Sequence, residues 1–438
     1  MDDILAARLQ MALSLGFHII FACIGMVMPF FMAVSHFLWL RTGNEVYKNL
    51  TKAWSKGVAI FFATGAVSGT MLSFELGLLW PTFMKHAGPI FGMPFSLEGT
   101  AFFIEAIALG FFLYGWNIFN RWFHWFTGVV VGISGLASGI LVVSANAWMN
   151  SPAGFDYVDG KYMNVDPIAA MYNDAWLSQS IHMTLAAFAA TGFAVAGVHA
   201  AMVYQKKNVR FHMKAFKIAA LFASIASLLQ PISGDHSAKD VAKRQPAKLA
   251  AMEAHFHTER GAGLIVGGIP DAKTQTVTHA IKLPGMLSWL AYGDTEAEVK
   301  GLADIPSDFH PPVAIVHYAF QVMVAIGSFL ALISLLFLVA IKKSSWLTQR
   351  WFLMIFALAT PLGFIAVEAG WTVTEVGRQP WIIYGVMKTA DAVTPMPGIV
   401  WSLCLFTTVY LSLSFVVIFL LHRQIKVVPV LYDKPTPA

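Results

Sequence analysis

The chain has 438 residues, 57% of them hydrophobic and only 12% charged, with a mean hydropathy of +0.64; so few charges cannot cover a water-facing surface of this size, which predicts a polytopic membrane protein rather than two or three soluble domains. Disordered, fibrous and disulfide-stapled classes are excluded, because the apolar content is too high for the first two and only two cysteines, Cys23 and Cys404, serve the third. The net charge of +5 does not imply nucleic acid as a partner, since in a membrane protein the positions of Lys and Arg matter more than their sum.

Apolar runs long enough to cross a hydrocarbon core of about 30 Å fall near residues 8–40, 54–80, 92–119 and 122–148, then 176–204, 212–232, 313–341, 349–371 and 395–422. The acidic start Met1-Asp2-Asp3 lacks the basic lead of a secretory signal and the first run is too long for a cleaved one, so the first helix is expected to be retained. These nine runs predict an all-α fold with the termini on opposite sides of the membrane.

The connections after the first, third, fifth and seventh runs, with the C-terminal tail, carry Arg41, Lys48, Lys52, Lys56, Arg121, Lys206, Lys207, Arg210, Lys214, Lys342, Lys343, Arg350, Arg423, Lys426 and Lys434. The opposite short connections hold only Lys85, Lys161, Arg378 and Lys388. The excess of positive charge on cytoplasmic loops then predicts an N-terminus outside and a cytoplasmic C-terminus. Residues 233–310, rich in charge, Gly and Pro, become an outer loop with some helix around Lys239 to Glu259. The chain therefore divides into helices one to six (1–232), this loop (233–310), and helices seven to nine with the tail (311–438). No internal repeat is visible.

Ionisable side chains inside the runs carry the chemistry, because each costs several kcal/mol in hydrocarbon unless paired, liganded or hydrated. They are His18, Glu75, Glu98, Glu105, His182, His199 and His317, with Glu368 and Glu375 toward the end of the eighth run. One such His alone reads more readily as an interhelical hydrogen bond than as a metal ligand. At 1.5 Å per residue, however, His18, Glu98, His182 and Met323 lie at a common depth of roughly 9 to 15 Å below the outer surface. A shared level on four helices is what buried cofactors need. Imidazole and thioether suit the axial positions of a low-spin haem, so His182 and Met323 are one candidate pair; core filling is the plain alternative for Met323, and His317 is a rival ligand near the interface. Glu98 and Glu105 are two turns apart on one helix face, where one could ligate iron while the other relays protons, or both could simply be protonated interhelical contacts. An ion transporter or channel with a buried acid and histidine path, or a haem subunit passing electrons to another acceptor, fits the same residues.

The segment Gly370-Trp371-Thr372-Val373-Thr374-Glu375-Val376-Gly377-Arg378-Gln379-Pro380-Trp381 resembles the GWxxxExGRQPW signature of subunit I of the cytochrome bd family of quinol oxidases. Glu98-Gly99 through Phe102-Phe103-Ile104-Glu105, Asn146-Ala147-Trp148-Met149, the His182 region, Gly234-Asp235 and Lys248-Leu249-Ala250-Ala251-Met252-Glu253 are similar to that family in order. The resemblance implies three haems (a low-spin b, a high-spin b, and haem d or a further b), no copper, and oxidation of membrane quinol at the outer face with O2 reduced to water by cytoplasmic protons. It implies His182 and Met323 on the low-spin haem, His18 and Glu98 on the two oxygen-side haems, and Glu375 at the second high-spin haem. Glu105 would sit on a proton route, Arg378 would hold propionates, Trp371 would pack against a haem, and Lys248 and Glu253 would belong to the quinol-oxidising loop. Outside the resemblance, those last two read as a solvated salt bridge, and Trp371 and Trp381 as an interfacial aromatic belt. The implied partners are subunit II in a membrane heterodimer and a small accessory subunit, in the bacterial inner membrane. Three features depart from the better-known members: the outer loop is short, as in cyanide-insensitive members; Gln321 stands two before Met323 where they carry Arg; and Glu98 and Glu105 are one residue closer.

Overall fold

The structure, a computed structural model, describes residues 2–158 and 161–432; Lys434, one of the basic residues used above, lies outside them. From the N-terminus come α1 (Asp3–Thr42), α2 (Glu45–Leu79), α3 (Pro81–Tyr114) and α4 (Arg121–Asn150). A short excursion of β1 (Asp156–Val158), β2 (Lys161–Met163) and α5 (Pro167–Met171) leads into α6 (Trp176–Tyr204) and α7 (Val209–Arg244). The polar segment holds α8 (Pro246–Met252), β3 (Glu259–Arg260), β4 (Leu264–Asp271), β5 (Thr276–Leu283), α9 (Met286–Tyr292) and β6 (Glu298–Val299). Then follow α10 (Val313–Lys342), α11 (Arg350–Ala359), α12 (Leu362–Val376), β7 (Trp381–Ile383), β8 (Met387–Lys388), α13 (Thr389–Ala392) and α14 (Ile399–Tyr432). Among the described residues nine helical segments are long and apolar enough to cross a membrane, with α11 and α12 together making one of them.

Short turns at one end of the molecule are set by local chemistry. Gly43 closes α1 in the left-handed conformation, φ 66°, with its N–H on Trp39 O at 2.8 Å. Asn44, Asn120 and Asn208 then cap α2, α4 and α7, their side-chain oxygens accepting from Val46, Trp122 and Phe211 amides. The Lys and Arg clusters sit at these turns, so this is the basic end; the longer connections, including the whole polar segment, gather at the opposite, loop end.

The helices form two groups. Helices α1 to α4 pack as one bundle, in which α1 lies against α2 and α4 while α3 lies against α4. Helices α6, α7, α10 and α11–α12 form the second, and α1 and α4 join it through α6. Helix α14 leans on α1 and α2. The main core runs through both groups, with Phe31, Phe112, Phe193, Phe216, Phe337 and Phe356 fully buried. Tight contact between α6 and α12 requires Gly363, where a Cβ would overlap the Ala190 backbone.

Three expectations change in detail. The sixth span does not stop near 232 but continues as α7 to Arg244, because Asp235–Lys239 (2.6 Å) and Asp240–Arg244 (3.0 Å) place acid before base at i, i+4 and support helix in a stretch that reads as loop by charge. Helix around 239–259 is therefore the end of α7 plus α8, and the chain beyond it turns to β-structure. The eighth span is broken at Thr360-Pro361, where a residue without N–H restarts the helix as α12. Cys23 is buried, Cys404 is exposed, and both are free, as small apolar side chains in helices should be.

Candidate functional site

Each candidate ligand is oriented by a small residue on a neighbouring helix. His18 of α1 hydrogen-bonds through Nδ1 to Ser68 Oγ of α2 at 2.9 Å, and a Cβ added to Gly69 would come within 3.1 Å of its Cε1. Its Nε2 takes no hydrogen bond among the described residues, so the ring is fixed through one nitrogen with the other left for a ligand, as iron-binding imidazoles require. His182 of α6 repeats the pattern against α7, with Nδ1 3.0 Å from Ser233 Oγ and Gly234 beneath the ring. Its Nε2 faces the Gln230 side-chain amide at 3.1 Å, which must turn aside for a metal. Met323 of α10 is half-buried, its sulfur resting over Gly370 of α12, where a Cβ would stand 3.1 Å away.

Glu98 and Glu105 both leave α3 toward α4: Ser138 donates to Glu98 Oε1 at 3.1 Å, while the buried Glu105 carboxyl lies over Gly135. Thus His18, Glu98 and Glu105 belong to the first bundle, and His182 and Met323 to the second. Glu75, His199 and His317 are used structurally. Gln10 and Ser14 donate to Glu75 Oε1 (3.1 and 2.8 Å). His199 bonds His212 and Trp54. His317, the rival ligand, has both ring nitrogens on carbonyls, Met252 O at 2.8 Å and Gly267 O at 3.0 Å. Trp371 is half-buried at the edge of the main core.

At the loop end a polar cluster joins the bundles. Glu375 of α12 accepts from Asn146 of α4 at 2.6 Å and from Arg378 Nη2 at 2.6 Å. Arg378 is 2% exposed, yet its Nε and Nη1 have no hydrogen-bond partner among the described residues. Lys248, 4% exposed, donates to Asn150 Oδ1 at 2.8 Å, and Gln245 Nε2 donates to the backbone carbonyl of the same Asn150 at 2.7 Å. Burial, aided by the Arg378 and Arg244 charges and opposed by Glu375, brings the Lys248 ammonium down to about 7. Glu253 is wholly buried and neither oxygen meets a hydrogen bond of good geometry. Its burial raises the carboxyl to about 8, against the pull of the Ile265 amide. Lys248 and Glu253 are therefore two separate buried groups and not a solvated pair.

Beside Lys248 opens a cavity of about 230 Å³ whose wall also includes Arg378, Lys300, Tyr384 and the stacked rings of Phe309 and Trp381, 5.2 Å apart. Sequence reading missed Asn150, Gln245 and Phe309, which meet the site only across long stretches of chain.

Among the described residues no three His, Cys, Asp or Glu side chains gather as a metal-binding group. The candidates stand singly, so iron at these places would need to arrive within a group that supplies most of its ligands, as a porphyrin does. Two unpartnered guanidinium nitrogens on buried Arg378 suit the carboxylates such a group carries. The residues present fit haem.

Residues 6–429 match the family described as cytochrome bd terminal oxidase subunit I. The chain is 35% identical to a Bacillus subtilis (strain 168) protein provisionally named cytochrome bd menaquinol oxidase subunit I, over 100% of this chain and 99% of the relative. It is 30% identical to the cytochrome bd ubiquinol oxidase subunit 1 of the same organism, over 97% and 94%. The bd oxidase structure from Geobacillus thermodenitrificans superposes with a TM-score of 0.92 at 37% identity, covering 97% of this chain and 98% of that one.

Proposed function

The chain belongs to the cytochrome bd terminal oxidase subunit I family, and from that premise we propose how its buried residues divide the work of a quinol oxidase. The family makes it a haem-containing membrane subunit of the respiratory chain; the transporter and other-acceptor readings lose their support. The finer assignment is three haems, a low-spin b, a high-spin b, and haem d or a further b, without copper. When bound, they supply electron transfer and oxygen reduction. His182 and Met323 would hold the low-spin haem, His18 and Glu98 the two oxygen-side haems, and Glu375 the second of these. Arg378 would neutralise propionates with its free nitrogens, and Trp371 would pack alongside.

Quinol oxidation falls to the loop end. The observation that carries this is the cavity with an aromatic wall of Phe309 and Trp381 and a buried lysine, five residues before a buried acid, Glu253, that no side chain among the described residues pairs. The flat rings suit a quinol head group. Lys248 at about 7 and Glu253 at about 8 both titrate near neutrality, so Glu253 can take a hydroxyl proton and release it again. With the basic end taken as cytoplasmic, these protons leave on the outer side. Glu105 lies two turns, roughly 10 Å, nearer the basic end than Glu98, because α3 runs from the loop end inward. It therefore receives cytoplasmic protons for water formation before Glu98 does. The setting is a bacterial inner membrane, with subunit II as heterodimer partner and a small accessory subunit beside it.

The test is quinol-driven O2 uptake by the purified complex. Glu253→Gln should lower kcat/KM for quinol by about a hundredfold, within the range for a lost general base, and Lys248→Met should lower it too, with haem content kept in both. Full quinol activity in both would move the quinol site elsewhere.

A further inference from the structure

The β4–β5 hairpin is held to α10 by polar contacts more than by apolar burial. Its strands are mostly exposed, Leu264 at its base packs on a small cluster with Leu249 and Leu287, and Val277 reaches another cluster beneath it. Among the described residues strand β4 pairs only with β5, which would leave its other edge with free backbone groups. Gln321 of α10 occupies that edge. Its Nε2 donates to Ile265 O at 2.9 Å and its Oε1 accepts from Gly267 N–H at 3.0 Å, so one side-chain amide replaces a neighbouring strand. His317, one turn earlier, places Nε2 3.0 Å from Gly267 O and Nδ1 2.8 Å from Met252 O, within reach of both for its N–H. The hairpin can present Gly267 this way because it bends there: Gly267 and Gly268 take φ +70° and +93°, and Gly268 falls out of the strand register. Met252 immediately precedes Glu253, and the Ile265 amide lies against the Glu253 carboxyl.

We propose that Gln321 and His317 are positioning residues that latch the β4–β5 hairpin over Glu253, and that this latch sets access to and the alignment of the quinol-oxidising acid. The proposal rests on the quinol reading of Lys248 and Glu253. It gives Gln321 a role that Arg could not fill, since a guanidinium has no acceptor for the Gly267 N–H. It also makes the hairpin a region of low local stability, with few buried apolar contacts and a small number of hydrogen bonds deciding its opening.

The experiment uses the intact oxidase complex with Gln321→Leu, Gln321→Glu and His317→Phe, and a short-chain ubiquinol analogue as donor. The low-spin haem spectrum checks assembly of each variant. Amide exchange at residues 265–269 should quicken by about tenfold in Gln321→Leu, the order expected for losing one or two ordinary hydrogen bonds. KM for the quinol should rise about fivefold to tenfold with kcat nearly kept, and O2 uptake from an artificial one-electron donor that bypasses the quinol site should be unchanged. Gln321→Glu keeps the acceptor for Gly267 and should fall between Leu and the parent. Unchanged exchange in Gln321→Leu, or faster exchange with unaltered quinol kinetics, would overturn the latch. Unaltered quinol kinetics in Lys248→Met and Glu253→Gln would instead sink the quinol reading beneath it, whatever the hairpin does.

Discussion

Glu253 has no side-chain partner among the described residues, and burial raises its carboxyl to about 8 against the pull of the Ile265 amide. Since only the ionised form accepts a proton, kcat/KM for quinol should increase as pH rises through about 8, and that limb should vanish in Glu253→Gln. The stability consequence has the opposite sign. A carboxyl raised above its unfolded value contributes fully below that unfolded value and loses its contribution as pH rises through about 8. Lys248, lowered to about 7, loses its contribution as pH falls through about 7. Met323 offers a separate test, because Met to Leu nearly conserves volume and costs under about 1.5 kcal/mol in a core. Met323→Leu should therefore leave a folded, haem-loaded protein whose low-spin absorption band is lost, as read in a reduced-minus-oxidised spectrum.

The helical elements carry their own test in the glycines. Gly363 meets the Ala190 backbone with no room for a Cβ, whereas Gly327 of α10 has open space around it. Gly363→Val should lower stability by about 1–3 kcal/mol through overpacking, while Gly327→Ala should be neutral or stabilising by about 0.5–1 kcal/mol; thermal unfolding in detergent separates them. The spans were legible because hydrocarbon selects long apolar runs, and His18, Glu98, Glu105 and His182 were legible because a charge in such a run stands out. The end of α7 was not, since Asp235, Lys239, Asp240 and Arg244 look like loop until their i, i+4 pairing is considered. Ser68, Ser138 and Ser233 orient the candidate ligands but are ordinary residues in membrane helices. Asn150 reaches Lys248 and Gln245 across nearly a hundred positions, and no local pattern signals that. The β4–β5 hairpin was hidden by its glycines, which read as loop and instead bend a strand onto Gln321.

At the scale of the molecule, two bundles hold different candidate ligands, and Glu375 with Asn146 ties them together beside the cavity. The charge asymmetry between the ends predicts the orientation: Lys273→Cys in the hairpin turn should react with a membrane-impermeant thiol reagent on intact cells, and Lys207→Cys at the basic end should not. The reverse labelling would invert the proton routes. The central claim is that the singly placed ligands His18, Glu98, His182 and Met323 hold haems on this chain. Its most direct test is haem quantitation per chain by pyridine haemochrome, with a dithionite-reduced minus air-oxidised spectrum of the purified complex. Three haems per chain are expected, with a long-wavelength chlorin band if one is haem d and without it if all are b. A folded, assembled complex containing no haem would contradict it.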